Sequence, residues 1–246
     1  MPKFGARDIG FAVRANQAQN NNRESKMAVD YEAHNEDRMR RARSWLARSQ
    51  DNGVPDEDGF LFLWIAFNAA YGRSYIERGE NFAEYRLYTA FMRRVIALDM
   101  ANGIKNYLIT EITDVQTLIK NKYIFEPFWQ YMRGHQGRDD WKARLTRRNL
   151  RVLRKWGEGD AMEMLREILF RLYTLRNQLM HGGATYQTGQ GRRQLRDGRK
   201  IMSHLVPLIL QVMQADIDKD PHTRAWGEVA YLSVTEGATP ANTPSR

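Results

Sequence analysis

Cysteine is missing from all 246 residues, which removes disulfides, thiolate zinc sites and cysteine nucleophiles together. Apolar runs of membrane length are missing too. The longest, "FLFLWIAFNAAY" at 60–71, is about half of the ~20 residues that a spanning helix requires. The chain has no strand–helix alternation, no glycine-rich phosphate loop and no internal repeat. Its five histidines are scattered without HExxH-type spacing, so no metal site and no cofactor are expected. The opening stretch "MPKFGARDIGFAVRANQAQNNNRESK" has no signal-peptide core, and the expected location is cytoplasmic.

Positive charge is present in excess. The formal net charge is +9, and 29 of the 38 cationic residues are arginine. Arginine forks onto phosphate and stacks on bases, so the excess favours RNA as partner. With 42% hydrophobic residues the chain can bury one sizeable core.

The pattern divides into a flexible N-terminal arm, 1–26, a single helical domain, 27–217, and a mostly irregular C-terminal tail, 218–246, in which "EVAYLSV" suggests one short strand. Helices are predicted over 27–49, 60–71 and on toward 78, 80–101, 104–119, 122–133, 138–156, 160–181 and 192–217. Asp56 or Asp58 is placed to cap the second of these, and Pro207 to kink the last. The second helix is apolar all round, which marks a central element, and its one polar interior residue is Asn68.

The chemistry concentrates in "YTLRNQLMHGGATY", 173–186. Leu165, Ile168, Leu169, Leu172, Leu175 and Leu179 form the apolar stripe of helix 160–181, and Arg176 falls on or beside it. An arginine there must reach out to water or meet an anion. Asn177 and His181, four apart, share one face, and Gly182 and Gly183 supply a left-handed stop. In the last turn the helix dipole favours a charged imidazole. Histidine can move the proton of a ribose hydroxyl or of a leaving oxygen, while arginine neutralises charge growing on phosphate. A second match to the same spacing, Arg199 to His204, has no glycine stop, and its histidine lies with Ile201, Leu205 and Leu208; it is expected in the core or behind the site.

The string "LRNQLMHGG" together with "FLFLWIAFNAAYG" resembles the HEPN superfamily, and most closely its bacterial Apea-like members. The resemblance implies an all-α HEPN-like helical bundle with mobile N- and C-terminal tails. It implies a metal-independent ribonuclease, linked to toxin action or phage defence, that works as a homodimer with two copies of this helix at a shared cleft. Arg176, Asn177 and His181 then occupy the catalytic places, and Asn68 and His204 stand behind them. An antitoxin or other regulatory partner also belongs to this picture. In members silenced by a nucleotidyltransferase, a tyrosine stands two residues after the histidine. Here that place holds Gly183, and the nearest tyrosine downstream is Tyr186. A non-catalytic HEPN module that binds RNA, nucleotide or protein is the alternative.

Two basic segments are candidates for gripping the RNA backbone. Arg144, Arg147, Arg148, Arg151, Arg154 and Lys155 lie opposite the apolar stripe of helix 138–156, with few acids in that segment to relieve them. Arg192 and Arg193 open the last helix, where free backbone amides also favour phosphate.

Overall fold

In the computed structural model, residues 29–72, 84–183 and 191–233 are described. The N-terminal arm, the extension toward 78, the aromatic Phe82 and Tyr186 lie outside them, as does the side chain of Tyr85. The regular structure among the described residues is all helical, with no strand. In chain order the helices are α1 (Tyr31–Ser49), α2 (Asp56–Tyr71), α3 (Glu84–Leu98), α4 (Gly103–Thr110), α5 (Ile112–Lys120), α6 (Glu126–Met132), α7 (Trp141–Gly157), α8 (Ala161–Met180) and α9 (Arg192–Ile217). Two 3-10 turns, Lys122–Ile124 and Arg224–Trp226, complete them.

The all-apolar α2 is the centre of the bundle, packed between α1 and α9. Phe60, Leu63, Trp64, Phe67 and Ala70 are all buried along it, and Trp64 and Phe67 meet edge to face at 5.8 Å. On its other side Trp64 meets Tyr173 of α8 at 6.2 Å. The main core runs from Met39 to Trp226 in sequence, and a smaller cluster of Phe125, Phe128 and Trp141 sits under α6 and α7. Phe170 of α8 packs against that smaller cluster.

Several local expectations are corrected by tertiary packing. The expected helix 104–119 divides at Glu111 into α4 and α5. Neither Asp56 nor Asp58 caps α2: Pro55 holds the cap position, and Asp56 instead accepts from Arg199 of α9 at 3.3 Å. Arg199 also donates to the carbonyls of Val54 at 2.8 Å and Ser49 at 3.2 Å, tying the α1–α2 loop to α9. Pro207 lies inside α9, as expected, and that helix spans 26 residues.

The tail is irregular over most of 218–233, as expected, but it is neither loose nor a strand there. Asn35 of α1 donates to the carbonyls of Pro221 and Thr223, the His34 ring accepts from the amide of Val229, and Asp37 accepts from the amide and hydroxyl of Ser233. Arg38, at 0% exposure, donates to the carbonyls of Ala70 at 2.9 Å, Gly72 at 2.6 Å and Gly227 at 3.0 Å. It thereby satisfies carbonyls at the end of α2 that have no partner within the helix, and pins the tail to them. Trp226 is buried as a result.

Candidate active site and cationic cavity

α8 begins at Asp160, whose carboxylate accepts from the amide of Glu163, and ends at His181. The expected glycine stop is present. Gly182 takes φ +68°, and the amide of Gly183 donates to the carbonyl of Gln178 at 2.6 Å, closing the last turn. Met180, His181, Gly182 and Gly183 are all exposed.

Arg176 and Asn177 are half-buried, and Arg176 Nη1 donates to Asn177 Oδ1 at 2.9 Å. This resolves the question of an arginine beside the apolar stripe: its guanidinium turns along the helix to a neutral acceptor. Five residues of helix turn through about 140°, so Arg176 and His181 leave α8 on different sides. Asn177, four residues before His181, is on the histidine's side of the helix. The His181 ring makes no hydrogen bond among the described residues, and its amide donates to the Asn177 carbonyl at 3.0 Å.

Asn68 is half-buried in α2, and its Oδ1 is buried with no hydrogen-bond partner among the described residues. His204 is not a core residue. It is exposed, stacks on Tyr107 of α4 with ring centres 5.4 Å apart, and shares a hydrogen through Nδ1 with the Lys200 carbonyl. The core expectation failed because Ile201, Leu205 and Leu208 fill a broad stripe and His204 stands at its edge. Its Arg199 is the loop tie described above, so the second arginine–histidine match has a structural role for its arginine.

The cationic face of α7 is built differently from its expectation. Acids at both ends of α7 and on α8 answer its charges. Asp140, just before α7, meets Arg144 at 2.6 Å and Arg147 at 3.5 Å; Glu158, just after it, meets Lys155 at 2.7 Å and Arg154 at 3.8 Å. Glu163 of α8 takes Arg151 at 3.0 Å and Arg166 at 2.6 Å. Glu167, buried, bonds Arg148 on one side and the fully buried Arg171 at 2.7 Å on the other. Burial lowers the Arg171 guanidinium to about 10, against the pull of Glu167, and its Cζ lies 4.5 Å from the Phe125 ring centre.

Between α7 and α8 these side chains surround a cavity of about 540 Å³. Arg144, Arg147, Arg148 and Arg151 form one wall; Glu163, Arg166 and Phe170 form the other. The Arg148 guanidinium lies over Phe170, 4.2 Å from the ring centre. Arg154 and Lys155 stand outside this cavity, one turn on. Arg192 and Arg193 are exposed in the first turn of α9, which starts at Gly191 with no side-chain cap. Sequence reasoning missed Arg166, Glu163 and Phe170, though their spacing on α8 puts them on the side of Asn177.

No group of three or more metal-ligating side chains exists among the described residues. No helix among them is long and apolar enough to cross a membrane. Comparison of the chain with protein-family models, with curated proteins and with solved structures gives no match.

Proposed function

We propose that this chain is a metal-independent endoribonuclease of the HEPN type, acting on RNA as a toxin or phage-defence effector. One observation carries the reading: α8 terminates in an exposed His181, and the Asn177 on its side is held by the Arg176 guanidinium at 2.9 Å. The chemistry asks for little else. A ribose 2′-oxygen attacks the adjacent phosphorus, the bond from phosphorus to the 5′-oxygen breaks, and a 2′,3′-cyclic phosphate and a 5′-hydroxyl result. His181 takes the 2′-hydroxyl proton or supplies one to the departing 5′-oxygen. Arg176 neutralises the charge that grows on the non-bridging oxygens. Asn177 positions Arg176.

A homodimer is part of the proposal. Arg176 and His181 diverge within one chain, so two copies of α8 facing each other supply a guanidinium from one and an imidazole from the other. The solvent exposure of Met180 through Gly183 leaves that end open to a second copy. The test is cleavage of labelled RNA in EDTA by wild type, Arg176→Ala and His181→Ala, with folding checked by circular dichroism. Loss of cleavage in both folded variants is expected; wild-type cleavage by both rejects the assignment.

The arginine–asparagine bond also favours a second reading, a non-catalytic module that binds RNA, nucleotide or protein, because it occupies a donor that catalysis requires. That reading predicts RNA binding without cleavage by the wild type.

A further inference from the structure

Among the half-exposed residues of α8, Glu163, Arg166, Phe170, Tyr173 and Asn177 recur at spacings of three and four. That is one continuous side of the helix, running from the cationic cavity to the exposed His181. At 1.5 Å per residue, Arg166 and His181 are separated by about 22 Å along the axis. The cavity and the candidate catalytic turn therefore share one side of α8.

The charge within the cavity is not balanced by its own acids. Asp140 is divided between Arg144 and Arg147, and Glu167 between Arg148 and the buried Arg171. One carboxylate serves two guanidinium groups in each case. The most outward of the wall residues, Arg147 and Arg151, have side chains 68% and 58% exposed, while Arg148 is fixed from below through Glu167. A fixed inner guanidinium with exposed outer ones suits successive phosphates of a flexible strand.

We infer that the α7–α8 cavity holds the phosphate backbone of single-stranded RNA and that α8 leads the strand from it to His181. The inference rests on the ribonuclease reading for the identity of the strand. A cavity of about 540 Å³ has room for phosphates and a base of one strand, and in-line attack by a 2′-oxygen needs a backbone free to leave the A-form geometry of a duplex.

The experiment uses full-length His181→Ala, so that binding is read without cleavage. Fluorescence anisotropy follows a labelled single-stranded RNA, the same sequence as a hairpin duplex, and tripolyphosphate as competitor, each at several salt concentrations. Single-stranded RNA should bind about tenfold or more tighter than the duplex. Adding Arg147→Ala and Arg151→Ala should weaken it about tenfold or more and lower the slope of log affinity against log salt by about 1.4, the value for two lost phosphate contacts. Arg93→Ala with Lys105→Ala, both exposed on α3 and α4, removes the same charge outside the cavity and should change affinity about threefold at most. Tripolyphosphate should displace the RNA, and this competition should vanish in the Arg147/Arg151 variant.

An unchanged affinity and slope in that variant, or equal binding of duplex, overturns the inference. The two proposals fail separately. Cavity-dependent binding without any wild-type cleavage upholds the strand path and rejects the nuclease; cleavage that ignores Arg147 and Arg151 does the reverse.

Discussion

Arg176 Nη1 holds Asn177 Oδ1 at 2.9 Å, so the two polar residues before the helix end form one unit rather than two independent groups. Asn177→Ala should then act through Arg176. We expect cleavage to fall about tenfold, with a partial return in Asn177→Asp, whose carboxylate still accepts from the guanidinium. His181→Ala should cost about a hundred- to ten-thousand-fold, the range for a lost general acid or base. Single-turnover rates on a short RNA check all three, and an Asn177→Ala enzyme as fast as wild type would separate the pair.

Glu167 is the second testable relationship. It is 2% exposed and joins Arg148 to Arg171, which is 0% exposed. Removing one partner of a buried pair leaves an uncompensated charge, so Glu167→Gln should lose about 3–5 kcal/mol. Replacing both, as Glu167→Leu with Arg171→Met, should recover much of that loss, because apolar side chains carry no desolvation cost. Urea denaturation of the three proteins gives the comparison.

Gly59 lies under Arg199. A β-carbon added there would stand 2.5 Å from Arg199 Nε and 2.7 Å from Cζ, inside contact distance. Gly59→Ala should displace the guanidinium from Ser49, Val54 and Asp56. The higher helix propensity of alanine returns about 1 kcal/mol. Lost charged hydrogen bonds and crowding outweigh it, for a net loss of about 1–3 kcal/mol. In an Arg199→Ala background the same change should be neutral or stabilising, which a double-mutant cycle in thermal unfolding reads directly.

Asp37 gives a pH prediction. Burial pushes its carboxyl up, but hydrogen bonds from the Ser233 hydroxyl, Arg40 and the Ser233 amide, with the charge of Arg41, hold it down at about 2, against an ordinary 3.8. A carboxyl depressed in the folded state stabilises it above the unfolded value and loses that effect as pH falls through the folded one. The contribution, about 2 kcal/mol, should be complete above pH ~5 and vanish near pH ~1. The melting-temperature gap between wild type and Asp37→Asn should close over that window. Protease cleavage near residues 228–233 should rise with it. A gap that stays constant from pH ~5 to ~2 would contradict the assignment.

The sequence by itself determined the helices and the helix end. The apolar periods that make α1, α2, α7, α8 and α9 are relations between residues three and four apart, and the Gly182 stop acts on its own turn. Such relations need no partner from elsewhere in the chain, so they are legible residue by residue. The candidate site was legible to the same degree: Asn177 and His181 share a side because they are four apart. Arg176 reaching Asn177 rather than an anion was not, since rotamer choice depends on what surrounds the helix.

Only tertiary structure decided how charge is distributed and what the tail does. Asp140 and Glu158 flank α7 in sequence, but the acids that meet Arg148 and Arg151, Glu167 and Glu163, belong to another helix, and a salt bridge forms by distance in space. Arg38 and Arg171 look like surface residues in the sequence, yet both are fully buried. A buried guanidinium persists only where carbonyls, a carboxylate or a ring converge on it, and those groups come from segments up to 189 residues away. The same long-range convergence fastens 218–233 to α1 through Asn35, Asp37 and Arg38, where local composition alone suggested a loose end.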